Sequence, residues 1–408
     1  MTMAHLPDAP WRHRPGFDAL CELLGACEGL VRLVGGAVRD GLLGLDVHDI
    51  DLATSLQPEV VTERLTEAGI KVVPTGIAHG TVTAVIDHRP VEITTLRCDV
   101  STDGRRATIA YTDDWREDAA RRDFTINALY ADPATGEIYD YFGGLDDLSH
   151  RRVRFIGDPE QRIAEDHLRI LRYFRFLARF GALPPDEAAY GACKANASKL
   201  MALSRERIAD EVLKLLGLPD PLPVLKLMHE GRIFVPVLPE IDTAGLSRLE
   251  ALILREKKAG LKTAISPILR LAALLPPEAA TGEQVAARLK LSSKARKRIV
   301  AALSAPPIHN NPRELVYRLG KEAAFDQILL GHAPMAEDMA MLENWTLPEF
   351  PIGGRDIIAL GVNAGPNVAR LLNAVKEQWI VEGFTGLERA QELAEAQIAA
   401  FLRESQNS

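Results

Sequence analysis

Two carboxylates one residue apart, Asp49 and Asp51, follow a glycine pair, Gly35-Gly36, in the run LVGGAVRDGLLGLDVHDIDLA at 33–53. In an extended segment residues i and i+2 point to one side, so both carboxylates share a face while Ile50 turns to the core. Hard oxygens paired in this way suit Mg²⁺, which takes one or two carboxylates and completes its shell with substrate phosphates. Gly35-Gly36 opens backbone conformations closed to other residues, and the helix predicted after it offers unpaired N–H groups to an anion. A phosphate holder beside a metal holder is the equipment of nucleotidyl transfer, a chemistry often run by two metals about 4 Å apart. Each half alone is commonplace, since Gly-Gly is usually a turn and Asp-x-Asp is frequent at strand ends. The order strand, GGAVRD, helix, DID is what makes the signal specific.

In that order the residues resemble the head domain of the polymerase-β-like nucleotidyltransferases and, within them, the bacterial class II tRNA nucleotidyltransferase/poly(A) polymerase family. The resemblance implies an α/β head with a polymerase-β-like nucleotidyltransferase sheet, followed by an all-α neck, body and tail. Glu92 interrupts a strand of Val, Ile, Thr and Leu, where a carboxylate needs an exposed edge, a partner such as Arg97, or a functional face. The family's third acidic residue lies in a strand reading like GluIleThrThrLeuArg, which implies Glu92 as the third catalytic carboxylate. In RRDFTINAL at 121–129, two guanidiniums suit triphosphate oxygens, and Asp123 and Asn127 can bond ribose hydroxyls. A solvated, salt-bridged turn is the plain alternative. The string is specific to the family and implies that Arg121, Arg122, Asp123 and Asn127 join Gly35, Gly36 and Arg39 in holding the nucleotide's phosphates and sugar. One departure is His48, before the DID pair, where family members often carry Lys or another polar residue.

These groups need a frame. Val31–Val34, Lys71–Val73, Thr81–Ile86 and Val91–Leu96 alternate or cluster β-branched residues as strands do, and 54–65 reads as a Ser/Thr-capped helix behind the sheet. From 98 to 120 the hydrophobic period fails and charge rises, which reads as a loop; the resemblance makes it the flexible loop that moves between adding C and adding A. Asp158-Pro159 then opens a helix closed by Gly181. At about 100° per residue, Ile163, Ile170, Leu171, Phe174 and Leu177 share the core side, Arg162, Asp166, Arg169 and Tyr173 form a neighbouring stripe, and Arg172, Arg175 and Arg179 lie opposite. Periodicity alone makes Asp166 and Arg169 a surface ion pair. The string GluAspHisLeuArg (165–169) matches the family's EDxxR motif, which implies instead that Asp166 and Arg169 read the incoming base. A Ser-led helix at 204–214 resembles the next family element and makes Glu206 and Arg207 the candidate braces of that helix.

Composition excludes other classes. With 47% apolar and 25% charged residues and no apolar run long enough for a bilayer, the chain reads as soluble and cytoplasmic, with no membrane partner. Cys21, Cys27, Cys98 and Cys193 lack CxxC spacing, against a zinc site or disulfide framework. A net charge of −8 excludes coating of nucleic acid by overall charge, so RNA contact falls to local runs: Arg151–Arg179, with eight Arg against four acids, and the basic run from Arg288 to Arg298. At 408 residues several domains are expected: a catalytic head at 1–148, a base-reading neck at 149–220, a helical body at 221–340 and a tail at 341–408, whose 350–368 segment resembles the family's tRNA-holding tail. The implied partners are tRNA, CTP and ATP, the cofactor Mg²⁺, and the reaction addition of CMP and AMP to tRNA. Poly(A) synthesis and partial CC- or A-addition share every head motif. A small-molecule nucleotidyltransferase is disfavoured by RRDFTINAL and length, and a non-catalytic RNA-binding protein by the intact Asp49 and Asp51.

Overall fold

In a computed structural model, residues 5–73, 76, 80–103, 106–259, 265–304, 311–331, 342 and 344–406 are described. They form two compact units, 1–241 and 242–408. The first holds nine strands, β1 (Val31–Val34), β2 (Ile50–Thr54), β3 (Lys71–Val73), β4 (Thr81–Ile86), β5 (Arg89–Thr95), β6 (Arg97–Asp103), β7 (Arg106–Tyr111), β8 (Leu129–Ala131) and β9 (Ile138–Asp140). Its helices are α1 (Phe17–Leu23), α2 (Gly36–Leu42), α3 (Pro58–Glu67), α4 (Trp115–Ala120), α5 (Gly144–Ser149), α6 (Pro159–Glu165), α7 (Arg169–Phe180), α8 (Glu187–Ala195), α9 (Arg205–Leu216) and α10 (Leu222–Glu230).

Seven strands form one mixed sheet in the order β3-β4-β5-β2-β1-β8-β9, in which β2 and β5 run parallel and the other neighbours antiparallel. Alternation sets the faces: Ile50, Leu52, Val91 and Ile93 are buried, leaving Asp51 and Glu92 on the other side of their strands. The β4–β5 hairpin turns on Asp87 and His88, both at positive φ, as a two-residue turn matched to strand twist requires. This is the α/β head anticipated from sequence, followed by helices.

Three local readings need correction. Among the described residues of 98–120, β6 pairs with β7 and α4 follows, its Asp114 cap accepting from Arg116 N at 2.8 Å. Pairing within a ribbon satisfies the backbone without a hydrophobic period, which is why the pattern was silent. The helix behind the sheet starts at Pro58 rather than at Thr54, because Thr54 ends β2 and its hydroxyl donates to Leu30 O at 2.7 Å. The helix opened by Asp158 breaks after Glu165: Asp166 is extended (φ −150°, ψ 107°), and α7 begins at Arg169. The Asp158 cap and Pro159 at the first helical position stand as read.

The second unit is helical over its described residues: α11 (Thr243–Ala259), α12 (Pro267–Leu274), α13 (Ala279–Arg288), α14 (Ser293–Leu303), α15 (Pro312–Leu319), α16 (Lys321–Leu330), α17 (Gly354–Ala359), α18 (Pro366–Val381) and α19 (Leu387–Gln406). A buried Arg270 paired with Glu256 ties α12 to α11, and Trp379 centres the cluster of the last three helices. The basic run of α14 is partly neutralised from other helices, Arg296 by Glu283 and Arg298 by Asp326 and Glu322. Among the described residues no helix is long and apolar enough to cross a membrane.

A tight seam runs beneath RRDFTINAL. A Cβ at Gly144 would stand 2.3 Å from the Thr125 carbonyl oxygen, so only glycine lets α5 approach the 125–127 turn. Gly144→Ala should therefore cost at least about 1–3 kcal/mol through forced backbone displacement, read as a lowered urea midpoint with an unchanged m-value.

Candidate active site

Metal, phosphate and base candidates meet in one cleft of about 890 Å³ in the first unit, lined by Gly35, Gly36, Arg39, Asp49, Asp51, Glu92, Arg122, Asp123, Asn127, Asp166, Arg169, Arg172, Arg175, Phe176 and Lys214. Arg121, Glu206 and Arg207 do not line it.

The acidic wall comes from strand register. Parallel pairing of β2 with β5 sets Asp51 directly abreast of Glu92, and Asp49 sits just before β2, exposed to the cleft. Burial, then the charge of Glu92 and that of Asp49, push the Asp51 carboxyl up to about 6 against the pull of Arg122. Among the described residues no three or more His, Cys, Asp or Glu side chains form a ready-made metal cage. Two carboxylates abreast and a third alongside instead match a hard cation that leaves coordination positions for substrate oxygens.

Gly35 turns from β1 into α2 at φ +68°, and its N–H donates to Leu129 O. A Cβ there would lie 3.5 Å from Arg122 Nη1. Arg122 is aimed by its neighbours: Nε donates to the Tyr130 hydroxyl at 3.1 Å and Nη2 to Asp118 at 3.2 Å. Asp118 also accepts from the Tyr130 hydroxyl at 2.6 Å and from Arg121 Nε at 2.8 Å. Burial alone would raise the Asp118 pKa, but Arg122 and Arg121 outweigh it and hold the carboxyl at about 2. Arg121, expected at the triphosphate, therefore spends its side chain on Asp118. Its carbonyl accepts from Arg162 Nη2 at 2.5 Å and from Arg169 Nη2 at 3.4 Å.

Arg39 lines the cleft but gives most of its donors to the protein: Nε to Asp40 at 2.7 Å and Nη1 to Asn127 Oδ1 at 2.5 Å, with the guanidinium 4.1 Å from the Phe180 ring centre. Asn127 passes the constraint on, Nδ2 donating to Asp123 Oδ1 at 2.9 Å. The other oxygen of Asp123 accepts from Arg172 Nε at 2.8 Å and Nη2 at 2.5 Å. Burial opposes ionisation of Asp123, yet Arg172 and the Asn127 bond hold its pKa below the ordinary carboxylate range.

At the break between α6 and α7, Asp166 and Arg169 do not pair with each other, as helix spacing had suggested. Asp166 Oδ1 accepts from Leu168 N at 3.0 Å and Oδ2 from Arg207 Nη2 at 2.7 Å. Arg169 Nη1 donates to Arg162 O at 2.8 Å and to Glu165 Oε2. Each group is thus fixed with hydrogen-bonding capacity to spare: a carboxylate offers about four lone-pair sites and a guanidinium five N–H donors. Ser204 caps α9, and of the two brace candidates Arg207 contacts Asp166, whereas Glu206 is exposed on that helix. The buried acid of α9 is Glu211, which accepts from Arg175 Nε at 2.6 Å and lies 3.8 Å from Arg172 Nη1.

Phe176, Lys214, Asp118 and Glu211 carry no site reading from sequence, and Arg172 and Arg175 are read there only as part of the opposite face of the helix. One signal was present: Arg172 and Arg175 have no acid three or four residues away on their own helix, so their charge had to be met from another element. Because the Asp118 pKa is lowered, its stabilisation is complete above about pH 4 and fades as pH falls through about 2. Asp118→Asn should cost about 2 kcal/mol at neutral pH by urea denaturation, and its gap from wild type should close between those two pH values.

Two family models match the chain: the poly A polymerase head domain over residues 31–154 and a probable RNA and SrmB-binding site of polymerase A over 184–244. The Mus musculus protein named CCA tRNA nucleotidyltransferase 1, mitochondrial, is 34% identical over 385 residues, covering 90% of this chain and 87% of that one. The CCA-adding enzyme of Lacticaseibacillus paracasei is 33% identical over 396 residues, covering 91% and 93%. The structure of the Bacillus stearothermophilus CCA-adding enzyme in complex with CTP superposes with a TM-score of 0.74 at 27% identity, covering 97% of this chain and all of that one.

Proposed function

This chain belongs to the tRNA nucleotidyltransferase/poly(A) polymerase family, and on that premise we propose that it adds CMP and AMP, from CTP and ATP, to the 3′ end of tRNA without a nucleic-acid template. The observation that carries the reading is the single cleft in which the acidic wall of Asp49, Asp51 and Glu92 meets the Asp166 and Arg169 pair.

Family members are metal-dependent, and the donor set here suits Mg²⁺: hard oxygens only, with an Asp51 carboxyl whose charged form is disfavoured by burial and then by Glu92 beside it. Asp49 and Asp51 would hold the ion, with Glu92 beside them. When bound, Mg²⁺ neutralises triphosphate charge and lowers the pKa of the primer hydroxyl. Gly35, Gly36 and Arg122 face the phosphates. Asp123 and Asn127 face the ribose, while Arg39 and Arg172 hold those two in place. Catalysis is then chiefly positioning and preorganised charge around an in-line attack that releases pyrophosphate.

Base choice follows from the fixed pair. Cytosine and adenine each present an amino donor beside a ring acceptor, which a carboxylate next to a guanidinium complements. Uracil and guanine present a carbonyl and an N–H in those places, setting oxygen against carboxylate and N–H against guanidinium. Desolvated mismatches of this kind cost several kcal/mol, enough for strong discrimination. We assign catalysis to residues 1–148, base reading to 149–220 and tRNA binding to the tail at 341–408, with 221–340 the helical body between them. We place the protein in the cytoplasm, a reading supported by four cysteines that are all free.

Purified protein incubated with tRNA lacking its 3′ end and with each nucleotide separately should incorporate CMP and AMP but not UMP or GMP. Only AMP in long tracts would mean a poly(A) polymerase. Asp49→Ala and Asp51→Ala should each lower incorporation by about a hundredfold or more, the scale of losing a group aimed at developing charge. Asp166→Ala and Arg169→Ala should raise UMP and GMP incorporation relative to CMP and AMP. Unchanged base choice in both would refute the assignment.

A further inference from the structure

Each arginine that lines the cleft has a carboxylate partner sheltered from solvent. Arg39 has Asp40, Arg122 has Asp118, Arg172 has Asp123, and Arg175 has Glu211, these four acids being buried; Arg169 has the half-buried Glu165. Lys214, which also lines the cleft, differs. It lies in the last turn of α9, and its ammonium donates to Asp210 Oδ2 at 2.6 Å, with the two side chains 55% and 60% exposed. An exposed i,i+4 pair of that kind contributes a few tenths of a kcal/mol. Its charge is therefore available for exchange.

Position adds to this. Asp166 meets Arg207 at the start of α7, and Arg175 meets Glu211 farther along, so the two helices ascend together. Lys214 lies about 10 Å along α9 from Arg207, at 1.5 Å per residue, and so stands on the same wall beyond the base-reading pair. There it is a compact ammonium on a flexible four-carbon stem, able to turn toward an anion that enters the cleft.

We propose that Lys214 is a phosphate-binding residue, exchanging the Asp210 carboxylate for a phosphate oxygen of a substrate in the cleft. The proposal rests on the nucleotidyl-transfer reading of this site. Phosphate reaches such a cleft from two sources, the triphosphate of CTP or ATP and the backbone of the tRNA 3′ strand, and binding measurements separate them without requiring turnover.

The test uses the full-length protein with Lys214→Gln, Lys214→Arg and Asp210→Asn, in equilibrium binding of CTP and of tRNA lacking its 3′ end across a salt series, with thermal unfolding as a control. Lys214→Gln should weaken one ligand three- to tenfold. If that ligand is tRNA, the slope of log affinity against log salt should also become shallower by about 0.7, the value for one single-strand phosphate contact. If it is CTP, the tRNA slope stays as in wild type. Lys214→Arg should restore binding. Asp210→Asn should tighten the same ligand, because it removes the competing carboxylate; loss of a merely structural pair would not move binding in opposite directions for the two partners. Wild-type affinity and slope in Lys214→Gln for both ligands would overturn the proposal. A wild-type protein that binds both ligands yet adds no nucleotide would instead overturn the reaction assigned to the site, leaving the Lys214 result to be read on its own.

Discussion

The Asp123 carboxylate is where α7 is tied to the RRDFTINAL segment beside the sheet. It receives Asn127 and its own following backbone N–H on one oxygen and the Arg172 guanidinium on the other. Asn127 is in turn fixed by Arg39 of α2, which starts at the glycine turn beside the acidic wall. A buried carboxylate is tolerated only when paired and hydrogen-bonded, and stripping away one partner leaves an uncompensated charge that costs several kcal/mol. That constraint makes the junction stiff. It sets α7 at a fixed distance from the strands that carry Asp51 and Glu92.

Aromatic packing supplies the apolar half of the same joint. Phe124, inside the RRDFT run, packs on Phe155 and Phe176 at ring-centre distances of 5.1 Å each, and Phe155 stacks on Tyr173 at 5.6 Å. The arginine that faces Asp123 and the phenylalanine and tyrosine that face Phe124 and Phe155 therefore come from adjacent turns of one helix. Charge sets the register and ring area excludes water from it, so the ion pairs work at a lower effective dielectric than at the surface.

The break at Asp166 redistributes charge by the same logic. Had the helix continued, Asp166 and Arg169 would have sat within reach of one another and consumed each other's hydrogen bonds. Extended backbone at Asp166 hands it to Arg207, and Arg169 goes to Glu165 and the Arg162 carbonyl. Two opposite charges are held side by side without collapsing together. Both line the cleft, each with hydrogen-bonding capacity that its protein partners leave unused.

Sequence alone determined the parts whose cause is local. Glycine at the turn into α2, alternation that turns Asp51 and Glu92 from the core, the Asp158 cap with Pro159, and the buried stripe of Ile163, Ile170, Leu171, Phe174 and Leu177 are all written in backbone sterics and hydrophobic period. Tertiary structure decided which charge meets which. Arg121 and Arg122 are neighbours in one motif, yet Arg122 lines the cleft and Arg121 turns to Asp118. Glu206 and Glu211 share one helix, yet Glu211 is the buried acid that receives Arg175. Strands β6 and β7 pair with each other, a match that no hydrophobic period announces. Long side chains reach several ångströms past their own backbone, so the partner of a buried guanidinium is selected by elements distant in sequence, and no local period records that choice.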